Sequence, residues 1–290
     1  MKPLLPAIAS LLLFSACSNQ TAAPIHAPGS SSGPAILGGE KVSAQDDVAS
    51  VTALLVDVKQ GAICTASILS DRWLLTAAHC VEGKAASDLV VGFTLDMDQL
   101  LQEGTTAERR LVSRAVAHPQ FQETNKTFLA MTEKAKAEGK ELSRAEVDGV
   151  KDWGDIALVE LKEAIPTSYQ PARLLPENAV LEKNQSVTLA GYGRVGSEPT
   201  AASGVLYRVN VQIQEPLWGS TEVLMNQTDG RGACHGDSGG PAYAVDQNGR
   251  LLLFGITSRG VGDGDVECIT SAAYTNLNHY RSWIREVSGL

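Results

Sequence analysis

An all-β fold is predicted by the texture of the chain. From Ile36 onward, short apolar runs rich in Val, Ile and Leu recur, and Gly, Pro, Asn and Asp separate them. Many short strands with turn signals between them suit barrels or a sandwich. Residues 165–182 carry Pro166, Pro171 and Pro176 and read as a crossing between two halves. The composition agrees, because 43% of the 290 residues are hydrophobic and can fill a core. A net charge of -9 and few aromatics exclude a nucleic-acid surface, since neutralising phosphates needs clustered Lys and Arg.

Taken in order, residues 1–17 read as a targeting segment. Lys2 supplies a minimal positive start, and the apolar run over residues 4–14 is too short to span a bilayer. The run ends Leu13-Phe14-Ser15-Ala16-Cys17 and resembles a bacterial lipobox, with Phe14 where Leu is usual. Cys17 is therefore the expected lipidation site; an ordinary secretory signal cleaved after Ala16 is the alternative. Removing Cys17 leaves Cys64, Cys80, Cys234 and Cys268, an even number in an exported chain where disulfides persist. Residues 18–35 are rich in Pro, Gly, Ser and Ala and read as a flexible tether.

Strands are expected over residues 51–58, 62–69, 89–93, 111–116, 156–161, 187–190, 206–213 and 251–257. Two stretches depart from this texture. Phe128, Met131, Ala135 and Leu142 keep one helical face, and Ser143-Arg144-Ala145-Glu146 reads as a capping box opening a second short helix. Near the C-terminus, Asn276 is placed to cap a helix whose Leu277, Tyr280, Ile284 and Val287 share a face.

Three short motifs carry the chemistry. Thr76-Ala77-Ala78-His79-Cys80 supplies a candidate base. Asp155-Ile156-Ala157-Leu158 supplies a candidate acid at the start of a buried strand. Gly236-Asp237-Ser238-Gly239-Gly240-Pro241 presents a hydroxyl on a turn of small residues. A serine hydroxyl is a weak nucleophile unless a base takes its proton as it attacks. In the order His, Asp, Ser, these motifs resemble the trypsin/chymotrypsin family of serine proteases over nearly all of the chain after Ile36.

The resemblance implies two six-stranded antiparallel β-barrels, at about 36–165 and 166–275, with a terminal helix at about 276–288. It implies Ser238 as nucleophile, His79 as general base and Asp155 as its orienting acid, with the N–H groups of Gly236 and Ser238 as the oxyanion hole. It pairs Cys64 with Cys80 and Cys234 with Cys268, and it places Ser258 on the segment that takes substrate as an added strand. Gly232 falls at the base of the primary pocket, followed by Ala233. Gly260 and Ala272 fall on its walls and His235 at its rim. An apolar or small preference is expected, with a basic one as the alternative. Ile36-Leu37-Gly38-Gly39 resembles an activated N-terminus, so cleavage before Ile36 is expected, with Asp237 receiving the new amine. The expected enzyme is a monomeric endopeptidase of protein or peptide substrates. It needs no metal or cofactor, is held in the cell envelope by the lipid, and is released on activation.

Other classes fit less well. A protease-like binding protein usually lacks a member of the triad. An esterase would carry its serine in a G-x-S-x-G elbow. Residues 122–153 exceed the family's usual loop and are expected as a helical insertion that gates the cleft, shapes subsites or decorates the surface. The acidic loop at residues 262–267 reads as a solvated loop, a weak Ca²⁺ site or an attractor of a basic substrate residue.

Overall fold

Every strand among the described residues pairs antiparallel. The structure, a computed structural model, describes residues 36–102, 107–194, 203–262, 268 and 270–290. The leader with Cys17, the tether, and residues 263–267 of the acidic loop lie outside the described residues.

In chain order the elements are β1 (Glu40–Lys41), β2 (Thr52–Asp57), β3 (Ala62–Ile68), β4 (Trp73–Thr76), β5 (Leu89–Phe93) and β6 (Glu108–Ala117). Then come α1 (Pro119–Ala137), α2 (Arg144–Gly149) and β7 (Ala157–Leu161). The rest are β8 (Ser186–Gly191), β9 (Tyr207–Trp218), β10 (Glu222–Asn226), β11 (Pro241–Val245), β12 (Leu251–Val261), β13 (Ser271–Asn276) and α3 (Arg281–Ser288). Strands β2-β3-β4-β7-β6-β5 close into one barrel. Strands β8-β9-β10-β13-β12-β11 close into a second through the β11–β8 pair, and β1 adds to β9 outside it. The fold is therefore two closed six-stranded antiparallel barrels.

Strand alternation explains why these runs read as continuously apolar. On β4, Leu74 faces the core of its own barrel while Leu75 faces the seam between the barrels. On β7, Val159 and Leu161 point inward and Leu158 joins the seam. Successive side chains leave a strand on opposite faces, so a strand covered on both sides reads as a near-continuous apolar run. The seam is completed from the second barrel by Tyr192, Tyr243, Leu253 and Ile256. Burying a side chain of that size contributes roughly 1.5–3 kcal/mol. The strand ends that carry chemistry are thus fixed on both sides.

The helices extend the expectation. α1 begins at Pro119, with His118 as N-cap accepting from the Gln120 N–H, and it stops before Leu142. The capping box of α2 is present, with Ser143 and Glu146 bonding reciprocally. Asn276 caps a 3₁₀ turn, Leu277–Tyr280, which leads into α3; Gly289 ends α3 in the left-handed conformation.

Candidate active site

His79 sits on a 3₁₀ turn, Ala78–Cys80, directly after β4. Ala77 and Ala78 are wholly buried, and a disulfide from Cys80 to Cys64 on β3 pins the turn, with a Cα separation of 6.3 Å. Asp155 enters from the start of β7. Its Oδ2 accepts from His79 Nδ1 at 2.8 Å and its Oδ1 from the His79 backbone N–H at 3.0 Å. Ser258 Oγ donates to the same Oδ2 at 2.7 Å. That reach follows from a register shift in β12 between Thr257 and Arg259, since a bulge re-aims the side chain it displaces.

These contacts set the electrostatics. Burial alone raises the Asp155 pKa, but the His79 charge, the His79 hydrogen bonds and the Ser258 hydroxyl outweigh it and hold the carboxyl below its usual range. Burial likewise pulls the His79 imidazole down, and the Asp155 charge and hydrogen bond overcome it, so its pKa is raised above 6.5. An ionised Asp155 accepts from Nδ1–H, which leaves Nε2 as the basic nitrogen.

Ser238 shares the cleft with His79 and Asp155; the cavity measures about 700 Å³. Its loop is anchored across the barrels. The Thr65 N–H donates to Ser238 O at 2.8 Å, and Thr65 Oγ1 donates to Gly236 O at 3.0 Å. Gly236 has φ +97, and a Cβ there would stand 2.8 Å from Gly193 Cα, so only glycine fits the turn. Among the described residues, neither the Gly236 N–H nor the Ser238 N–H has an acceptor. No hydrogen bond joins Ser238 Oγ to His79 among the described residues; such bonds are often long in an empty site and close when substrate binds.

Asp237, beside Ser238, is fully buried. It accepts from the Gly193 and Cys234 N–H groups, each at 2.8 Å, and burial pushes its carboxyl up to about 7. Ile36 is also fully buried, with φ +50, and Leu37 O accepts from the Gly232 N–H at 3.0 Å. A β-branched residue in the left-handed region is strained.

Of the residues expected around the pocket, Ala233, His235, Ser258, Gly260 and Ala272 line the cleft, together with Cys234 and Cys268, which form a disulfide. Gly232 is not among the lining residues. The side chain of Gln227 lies against it, and a Cβ on Gly232 would stand 2.3 Å from Gln227 Cδ. Gln227 is itself fully buried and saturated. It donates to Ala233 O at 3.1 Å and Cys268 O at 2.7 Å, and its Oε1 accepts from the Ala233 N–H at 2.8 Å. No pattern in the run Met225-Asn226-Gln227 marks this role in the sequence.

The insertion, through Phe128, Val147 and Trp153, forms one wall of the cleft beside Phe121. Next to Ser258, Arg259 forms a two-pronged ion pair with the buried Glu222, at 2.6 and 2.9 Å, and its guanidinium lies 5.3 Å from the rings of both Trp153 and Trp218. The cysteine sulfurs near His79 and His235, the described atoms best placed to bind a metal there, are taken up in the two disulfides.

Comparison with known proteins places this geometry. The model of the Trypsin family matches residues 36–284. The chain is 27% identical over 236 residues to "Chymotrypsin-like elastase family member 1" of Homo sapiens, covering 77% of this chain and 80% of that protein. It is 26% identical over 239 residues to "Serine proteinase stubble" of Drosophila melanogaster and 25% identical over 240 residues to "Transmembrane protease serine 9" of Rattus norvegicus. The matched region spans only 27% and 20% of those two longer proteins.

Proposed function

The chain belongs to the trypsin family of serine endopeptidases, and from that premise we propose a reaction in which Ser238 cleaves peptide bonds through an acyl-enzyme. The observation that carries the reading is the Asp155–His79 pair, 2.8 Å long, facing the cleft that Ser238 lines. His79 Nε2 takes the Ser238 proton as Oγ attacks the scissile carbonyl, then returns it to the leaving amine. Asp155 holds the tautomer and stabilises the imidazolium. The free N–H groups of Gly236 and Ser238 receive the oxyanion, and losing one such donor typically costs about 10²–10³ in rate. Water then enters by the same route in reverse and releases the acid.

Substrate adds as an antiparallel strand beside Ser258 and Gly260. Ala233, Gly260, Thr270, Ser271 and Ala272, which line the cleft, carry no charge, so small or apolar side chains are accepted before the cleaved bond.

Activation is by cleavage before Ile36. Two features support it: the strained, buried Ile36, and a buried Asp237 without a cationic partner among the described residues. A new α-amine at Ile36 relieves the first and ionises the second. Before cleavage, the lipid on Cys17 holds the exported chain to the envelope through residues 18–35. Both disulfides lie within residues 64–268, so the cut frees the enzyme. N-terminal sequencing of the active species tests this. Ile36 as the first residue, in a soluble fraction, is expected; full activity with residues 18–35 attached contradicts it.

A further inference from the structure

The edge of β12 that faces the cleft is already occupied by side chains of the insertion. β11 pairs with β12 only as far as Ile256, and Gly239 and Gly240 take the backbone of Thr257. Beyond that point β12 pairs, among the described residues, with β13 alone, which leaves its other edge for an added strand. Gly260 and Gly262, two residues apart, turn their backbone groups to this same edge. Arg144 Nη2 donates to Gly260 O at 2.8 Å, and the Gly262 N–H donates to Asp148 Oδ2 at 3.0 Å. Arg144 and Asp148 are themselves paired at 3.1 Å, one turn apart on α2.

The helix that carries them is fixed at both ends. The capping box at Ser143 and Glu146 starts it, and Arg259 Nη2 holds Val150 O at 3.1 Å just past its end. Arg259 in turn is locked on the buried Glu222. Arg259 and Gly260 on β12, and Gly262 just past its end, thus grip one short helix. Gly260 is otherwise open: a Cβ there meets nothing within 4 Å.

We propose that Arg144 and Asp148 form a clasp that limits how much of a substrate the enzyme reads. Thr257 marks the end of this edge nearest Ser238, because it bonds Gly239 and Gly240, so an antiparallel peptide with its carbonyl at Ser238 runs outward along residues 258–262 with its N-terminal side. The clasp fills the outer backbone sites on that path. A peptide with only one or two residues before the cleaved bond stops short of it. A longer peptide must displace Arg144 from Gly260 O before its own N–H takes that acceptor. The clasp therefore sets specificity by length rather than by side chain.

The inference rests on the proteolytic reading. Turnover of a one-residue amide substrate by the wild-type enzyme beginning at Ile36 reports on that reading alone, and its absence overturns both. The clasp is read from the ratio of kcat/KM for a substrate with four residues before the cleaved bond to that for the one-residue substrate, both with the same residue at the bond. In Arg144→Ala and in Asp148→Ala the ratio rises about five-fold, the size of one net backbone hydrogen bond released to substrate. A merely structural role for α2 lowers turnover of both substrates and leaves the ratio unchanged. An unchanged or reduced ratio in both variants overturns the clasp.

Discussion

Ser258 Oγ and His79 Nδ1 meet on one atom, Asp155 Oδ2, at 2.7 and 2.8 Å. The bulge that pushes Ser258 out of register thereby completes the anchoring of Asp155, and β12, the strand proposed to receive substrate, is tied to the proposed base. Replacing Asp155 by Asn keeps the shape and inverts the tautomer, and kcat is expected to fall about 10⁴-fold, as in the family's triad template. Ser258→Ala removes one hydrogen bond to a charged group, so a smaller loss of about ten-fold or more is expected. Because the Asp155 charge raises the His79 pKa, the acid limb of kcat/KM lies above pH 6.5 in the wild type. Steady-state pH profiles check both points; an acid limb that stays in place in Asp155→Asn counts against the pairing.

Gly232, expected at the pocket base but absent from the cleft lining, resists simple redesign. In Gly232→Asp the new Cβ collides with Gln227 at a backbone φ of +151. The variant is expected to be less stable by about 1 kcal/mol or more and to gain no cleavage after Arg or Lys. Combining it with Gln227→Gly opens the space the carboxylate needs. Thermal melts and peptide-library profiling test the pair, and basic specificity in the single variant would contradict the geometry.

Asp237 predicts a pH signature of the uncleaved chain. Its carboxyl titrates near 7 in the fold, above the unfolded value of 3.8. Between these values the folded state binds the extra proton, so stability falls as pH rises from about 4 to 7. Asp237→Asn is expected to flatten this slope in the uncleaved protein, and cleavage before Ile36 to oppose it by supplying a cation. Denaturant melts across this window measure the slope, and equal slopes in the uncleaved wild type and Asp237→Asn would contradict it.

The sequence made the barrels and the chemistry legible to different depths. Runs such as residues 51–58 announce themselves because both faces of β2 are covered along Ala53–Val56, which are apolar throughout. β10, β11 and β13 are silent for physical reasons. β10 opens on the buried charge of Glu222, whose partner Arg259 lies on another strand. β11 starts at Pro241, and β13, apart from Tyr274, is built from small or polar residues whose burial depends on neighbours. His79, Asp155 and Ser238 each sit in a dense local motif. Gln227, Arg144 and Arg259 do not, because their roles arise from contacts to residues far along the chain, between 6 and 116 positions away. Only the folded barrels bring those contacts together.

Ser238 is proposed to be a nucleophile activated by His79. The direct measurement is labelling by a fluorophosphonate probe of the chain beginning at Ile36, followed by peptide mapping. One label is expected, on Ser238, lost in Ser238→Ala and strongly slowed in His79→Ala. A wild-type chain with Ile36 at its N-terminus that takes no label, or takes it on another residue, would contradict it.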